Sequence, residues 1–276
     1  MSHMLSEVDF HKMAEYIYRK TGIFLEVDKH YDKLARYIDA RAKVINADSF
    51  RKYFYVLRFE DKTGDEFQAL VNAITVNETY FYREKEQFEV LVNRLLPELH
   101  AKRPKHLPLR ILSAPSSTGE EPYSIILHIL EEGRVVEERD IEVVGIDIDS
   151  TVIDKAKAGK FTERSIHAVP PPVLARWFKK RMLGYDLIDD LVGTVDFRVV
   201  NVFDRTQMRQ LGKFDIIFSR NMLIYFDDAS RKEVAMTFYD MLNPEGYVLL
   251  GHAEYMSRIT SVFKAKKIDS TLIYQK

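Results

Sequence analysis

The sequence predicts an α/β protein: a doubly wound, mostly parallel sheet ending in a hairpin, preceded by a small all-helical domain. Three observations lead there. From Leu109 onward, short apolar runs of strand length alternate with stretches of helical periodicity, as in parallel sheets. Residues 5 to about 90 instead repeat apolar side chains at helical spacing, with no strand pattern and no internal repeat. Between Arg110 and Glu132 a strand, a tight turn and a helix follow one another in RILSAPSSTGEEPYSIILHILEE. Such a unit presents a helix N-terminus to a ligand.

The 276 residues suffice for one large or two small domains and for a sizeable core. Apolar and charged fractions of 46% and 30% are those of an ordinary soluble chain. The net charge of −1 leaves only a local patch to attract a polyanion. With no cysteine, disulfides, thiolate metal sites and thiol nucleophiles are excluded, and a reducing, cytoplasmic setting is expected. No apolar run approaches the ~18 residues of a membrane span, and MSHMLSEVDF lacks a signal peptide's basic-then-apolar order. Met1-Ser2-His3 ahead of Met4 reads as a cloning remnant. No metal site is expected.

Taken in order, Phe10, Met13, Ala14, Ile17 and Tyr18 define a first helix ended by Thr21-Gly22. A second, Asp28 to Val44, turns Leu34, Tyr37, Ile38 and Ala42 inward; a third carries Phe50, Phe54, Val56 and Leu57; a fourth covers Asp65 to Ile74. Between Phe10 and Glu60, eleven basic residues face seven acidic ones, a local charge of +4. Lys29, Lys33 and Arg36 share one face of the second helix, either a solvated surface or a dock for an acidic partner. Nucleic acid is disfavoured, because no aromatic-rich basic strand accompanies this modest patch. The stretch Asn77-Glu78-Thr79-Tyr80-Phe81-Tyr82-Arg83-Glu84 sets polar residues beside three aromatics and an arginine, unusual for a plain helix. A helix from Lys85 to Ala101 and a basic, proline-containing boundary at 102–108 follow. The expected division is a helical domain at 5–84, a linker helix at 85–108 and an α/β domain at 109–276.

In the α/β part, Leu109 to Ala114 reads as the first strand, and Glu120 to Glu132 as its helix, with Pro122 tolerated in the first turn. Ile141 to Ile148 is the second strand, followed by a helix from Ser150, the expected cap, to Ala158. Strands are also expected at Val195 to Val202, Phe214 to Phe218 and Tyr247 to Gly251. A helix at Asp227 to Leu242 is stopped by Asn243-Pro244-Glu245-Gly246, and a hairpin spans Phe263 to Tyr274.

Polar residues gather where these strands end: Ser113, Glu120, Asp147, Asn201, Arg220 and Asn221. Ligands bind there in open α/β sheets. The turn is not a clean phosphate loop, since Gly119 is its only glycine, and Glu120 and Glu121 would repel a phosphate. Asp147, ending the second strand 28 residues after Gly119, is placed to bind both hydroxyls of a ribose. Abundant carboxylates and missing glycines favour a phosphate-free nucleoside cofactor, and S-adenosylmethionine is the candidate.

With these stretches in hand, the chain resembles the CheR-type chemotaxis receptor methyltransferases along nearly its whole length. The resemblance rests on Asn77–Glu84, Ser117-Thr118-Gly119-Glu120-Glu121-Pro122-Tyr123-Ser124, Asp147-Ile148-Asp149, Arg220-Asn221-Met222-Leu223-Ile224-Tyr225-Phe226 and Leu250-Gly251-His252-Ala253-Glu254. Each is modest alone, but five in order are specific. The resemblance implies a helical N-terminal domain and a Rossmann-like methyltransferase domain binding S-adenosylmethionine, with S-adenosylhomocysteine as product. It implies glutamates on the cytoplasmic helices of chemoreceptors as substrates. By matching position, Asn77, Thr79 and Arg83 would reach the cofactor's methionine end, beside Ser113 and Ala114. Glu120 would meet its amino group, Asp147 the ribose, and Asn201 and Val202 the adenine. Arg220 and Asn221 would line the reacting centre, and Arg83 and Tyr225 would hold the incoming glutamate. His252 reads as structural.

Two departures from the family pattern stand out. Ala114-Pro115-Ser116 replaces a more usual small or glycine-containing turn, so a stiffer loop is expected. Residues 161–196 correspond to an inserted β-subdomain that in some members tethers a receptor's C-terminal peptide through a longer glycine-rich loop. Here Lys179–Asp186 is shorter and holds one glycine, so tethering is not expected.

Overall fold

The computed structural model describes residues 3–133 and 139–276. Met1 and Ser2 of the expected cloning remnant lie outside them, as does 134–138 of the α/β part. The chain divides into two compact units: one up to Val76 together with Tyr225–Ser230, the other Asn77–Ile224 with Arg231–Lys276.

The smaller unit holds α1 (Glu7–Thr21), α2 (Val27–Val44), α3 (Phe50–Tyr55), continued by a π-turn at Val56–Glu60, and α4 (Asp65–Ile74). Ser6 caps α1 by accepting from the Asp9 N–H, and Gly22, at φ +72°, closes it in the left-handed conformation that favours glycine. Phe10, Met13, Ile17, Leu34, Ile38, Tyr53 and Leu70 form its core. Residues 225–230 join this unit through a bridge between Ile23 and Phe226 and a hydrogen bond from the Tyr18 hydroxyl to Asp227.

The larger unit opens with α5 (Lys85–Val90), a π-turn at Leu91–Leu95 and α6 (Leu96–Lys102), contiguous in sequence. Then follow β1 (Leu109–Ser113), α7 (Glu120–Glu132), β2 (Ile141–Asp147), α8 (Ser150–Ala158), β3 (Lys160–Phe161), α9 (Pro171–Trp177), β4 (Phe178–Arg181) and β5 (Gly184–Leu187). The chain continues through β6 (Val195–Val199), α10 (Arg205–Gln210), β7 (Phe214–Ser219), α11 (Asp228–Met241), β8 (Leu242–Leu250), β9 (Lys264–Ile268) and β10 (Thr271–Gln275). The main sheet runs β6-β2-β1-β7-β8-β10-β9, and β3-β5-β4 form a separate antiparallel sheet. The first five strands of the main sheet are parallel and the last two antiparallel. The chain leaves β1 towards β2 on one side and later returns to β7 on the other. The switch point where such sheets take ligands therefore lies at the C-terminal end of β1.

Several boundaries differ from the sequence reading, each for a local reason. Asp149, not Ser150, caps α8, its carboxylate accepting from the N–H groups of Thr151 and Val152. The third strand stops at Val199, because the Asn201 side chain takes the Phe203 N–H into a turn. β8 begins at Leu242, with Asn243–Gly246 forming an irregularity within it. Residues 77–84 fold with the larger unit: the Phe81 N–H donates to the Ser165 carbonyl and the Tyr82 N–H to the Ser124 hydroxyl.

Candidate functional site

The turn after β1 delivers two adjacent glutamates that face different ways. Glu120 and Glu121 open α7, both buried. The Glu120 carboxylate accepts from the Thr118 hydroxyl at 2.6 Å and the Ser165 hydroxyl at 2.9 Å. Glu121 accepts from the Ser113 hydroxyl at 2.7 Å and forms an ion pair with Arg220. Burial pushes the Glu120 carboxyl above its ordinary range, opposed by the two hydroxyl donors. Gly119 must be glycine: its φ is +97°, and a Cβ would meet Ala156 Cβ at 3.0 Å and the Phe197 ring at 3.2 Å. Ala114, also buried, is pinned by its N–H on the Phe218 carbonyl.

At the end of β2, Asp147 accepts from the backbone N–H groups of Ser117 and Asp149, both at 2.9 Å. It is 5% exposed, and burial raises its pKa to about 6, the nearby Asp149 carboxylate adding to the rise. Asn77 donates to Asp149 at 2.8 Å and accepts from the Ser117 hydroxyl through its carbonyl. Asn77, Ser117, Asp147 and Asp149 thus form one connected cluster around the switch point. Asn201 and buried Val202 follow β6, the strand paired with β2. Thr79 is half-buried.

Arg220, just past β7, is buried. Its guanidinium donates to Glu121 and to the Arg83 carbonyl at 2.6 Å, lies 3.7 Å from Glu84 and stacks over Phe88 at 4.9 Å. The structure therefore commits this side chain to protein partners, fixing the backbone beneath Arg83. The Arg83 guanidinium is half-buried. It donates to the Glu78 carbonyl, lies over the Tyr80 ring and has no carboxylate partner among the described residues. Asn221 sits at φ +58°, its N–H held by Glu254 at 2.7 Å. Glu254 also accepts from Leu223 and Gly251, so this buried carboxylate shapes the whole loop after β7. Gly251 permits that approach, since a Cβ there would lie 3.0 Å from Glu254 and 3.1 Å from Asn221. His252 is exposed and pairs with Glu86. Tyr225 belongs to the smaller unit, ends a short 3₁₀ turn and is 36% exposed, its carbonyl accepting from the Phe24 N–H.

Comparison with known proteins matches residues 77–272 to the family model described as CheR methyltransferase, SAM binding domain, and residues 8–75 to CheR methyltransferase, all-alpha domain. The chain belongs to the CheR methyltransferase family. It is 44% identical over 274 residues to chemotaxis protein methyltransferase 2 of Vibrio cholerae, covering 99% of this chain and 94% of that one. The chemotaxis protein methyltransferases of Salmonella typhimurium and Escherichia coli are each 32% identical. They align over 95% and 94% of this chain, respectively, and 88% of their own length in both cases. This CheR protein is thus an S-adenosylmethionine-dependent methyltransferase.

The residues fit that cofactor. Among the described residues no basic side chain pairs with Glu120 or Asp147, so two buried carboxylates stand uncompensated by charge at the switch point. An ammonium and a pair of ribose hydroxyls are what such acceptors lack. A phosphate would add a third like charge. Sequence reasoning did not find the supporting roles of Glu84, Glu121, Asp149, Ser165 and Glu254. The acidic doublet and the Gly251–Glu254 stretch were visible signals for two of them; Ser165 left none.

Proposed function

We propose that this CheR protein transfers the methyl group of S-adenosylmethionine to side-chain carboxylates of glutamates on the cytoplasmic helices of chemoreceptors, forming methyl esters. The observation that carries the reading is the pair of uncompensated carboxylates, Glu120 and Asp147, at the switch point of a CheR domain. When bound, S-adenosylmethionine supplies a methyl already activated on a sulfonium. Glu120 would hold its ammonium and Asp147 its ribose; Asn77, Thr79, Ser113, Ala114, Asn201, Val202 and Asn221 would shape the surrounding surface. A glutamate has a pKa of ~4.3 and is already the nucleophile at neutral pH, so the protein need supply no general base. Its task is alignment and exclusion of water. Arg83, whose guanidinium has no carboxylate partner among the described residues, is suited to orient the incoming carboxylate; for Tyr225 the family resemblance alone implies a weaker directional bond.

Docking of the substrate helix on α2 would use the face carrying Lys29, Lys33 and Arg36, where Arg36 donates to the Asp32 carbonyl. Lys33 is engaged by the carbonyls of Ile74 and Thr75, and Lys29 pairs with Glu26. No helix among the described residues is long and apolar enough to cross a membrane; a cytoplasmic setting follows from the proposed substrate. Transfer of radiolabelled methyl from S-adenosylmethionine to a receptor cytoplasmic fragment, released by mild base as an ester would be, tests the reading. Binding of the cofactor without base-labile transfer to any receptor fragment would overturn it.

A further inference from the structure

The loop at 162–168, between β3 and α9, was not expected to take part in the site, yet it reaches one of its central groups. Ser165 donates from its hydroxyl to Glu120 at 2.9 Å, across 45 residues of sequence. The loop is itself fastened to the segment that carries Asn77 and Arg83. The Ser165 carbonyl accepts from the Phe81 N–H at 2.9 Å, Arg164 pairs with Glu78, and the His167 and Tyr80 rings lie 4.8 Å apart.

We infer that Ser165 is a positioning residue for cofactor binding: its hydroxyl aims the Glu120 carboxylate and keeps it in the ionised form that an ammonium requires. This rests on the reading of Glu120 given above. The charged residues next to Glu120 and Ser165 in sequence are engaged elsewhere, which leaves the task to hydroxyls. Glu121 turns to Arg220, Arg164 to Glu78, and Glu163 lies 3.9 Å from Lys180. Thr118 is the only other side-chain donor to Glu120 among the described residues. A hydroxyl donating to a carboxylate stabilises its charged form, so deleting one of its two hydroxyl donors, with only a backbone bond besides, lets burial raise the acid's pKa further.

The test is titration with S-adenosylhomocysteine between about pH 5.5 and about pH 8 for wild type, Ser165→Ala, Ser165→Thr and Glu120→Gln. Ser165→Ala is expected to bind about tenfold more weakly at the acid end. The deficit shrinks as pH rises, because the acid limb of its affinity profile has moved upward. The ligand's own amine titrates alike for all variants. Ser165→Thr, which restores the hydroxyl, should recover the wild-type profile. The loop's backbone bond to Phe81 survives either change, so a merely structural role would weaken binding equally at every pH. That result, or an unchanged profile, overturns the inference. If Glu120→Gln also binds as wild type, the reading of Glu120 fails instead; loss in Glu120→Gln with no shift in Ser165→Ala removes Ser165 alone.

Discussion

Replacing Arg220 by methionine separates the two roles that its guanidinium combines. Its side chain is 3% exposed, and that of its partner Glu121 is 8% exposed. The substitution leaves the Glu121 carboxylate buried without its cation, removes the nearer cation from Glu84 and deletes the donor to the Arg83 carbonyl. Removing one partner of a buried pair costs about 3–5 kcal/mol. At about 2–4 °C per kcal/mol for a domain of this size, the melting temperature should fall by roughly 6–20 °C. The double variant Arg220→Met/Glu121→Leu removes both charges and should recover much of that loss. It should not recover methyl transfer, because the Arg83 carbonyl still lacks the guanidinium donor that fixes it. Thermal melts and initial rates on a receptor fragment, on the same preparations, read both quantities. A single variant melting within about 2 °C of wild type would refute the buried-pair argument. A double variant that regains rate along with stability would refute the positioning role.

Three other outcomes follow from the same geometry. Asp147 has a folded pKa of about 6 against an ordinary 3.8, so its contribution to the stability of the cofactor-free protein is full below 3.8 and is lost as pH rises to about 6. Cofactor affinity should change oppositely, rising through that window as the acceptor ionises; Asp147→Asn should weaken S-adenosylhomocysteine and flatten this part of the profile, and a profile unchanged by the substitution would remove Asp147 from the ribose. Arg83→Ala should lower kcat on a receptor fragment by on the order of a hundredfold and Tyr225→Phe by about tenfold; unchanged rates in both would remove them from the chemistry. Glu254→Gln turns an amide towards backbone N–H groups that now meet a carboxylate, and should cost about 1–3 kcal/mol in urea melts, so an unaltered midpoint would show that the loop after β7 does not depend on it.

Legibility in the sequence followed the strength of periodicity. The long helices and buried strands were readable because their apolar repeats are uninterrupted. The two-residue β3 and the largely exposed Phe178–Arg181 carry no alternation to read. The site was readable where chemistry sits at a strand end, as with Asp147, or at a helix start, as with Glu120. The doublet Glu120-Glu121 shows the limit. Consecutive helical residues point about 100° apart, so one carboxylate turns to hydroxyls and the other to Arg220. No linear pattern says which is which. Ser165 and Glu254 meet their partners only after the chain has crossed the sheet, and the burial of Arg220 between Glu121 and Glu84 has no sign in its own segment.

The same polar contacts also explain why the site loops hold their shape. Of seven non-glycine residues at positive φ among the described residues, four lie in the segments carrying site residues: Tyr82, Glu84, Ser117 and Asn221. Such conformations cost of order 1–3 kcal/mol each and persist only where the surroundings over-determine them. Each is held by a tertiary bond at the strained residue itself. The Tyr82 N–H donates to Ser124, the Glu84 carboxylate accepts from the His252 N–H and lies 3.7 Å from Arg220, the Ser117 N–H donates to Asp147, and the Asn221 N–H donates to Glu254. Asp147 is then both the acceptor proposed for the ribose and the restraint on Ser117. Arg220 likewise both neutralises Glu121 and fixes the strand of backbone that ends in strained Glu84. Because the restraints and the ligand-facing groups are often the same atoms, substitutions there should lower stability and cofactor affinity together, whereas Ser165, whose neighbours sit in ordinary backbone, should change affinity with little effect on the melt.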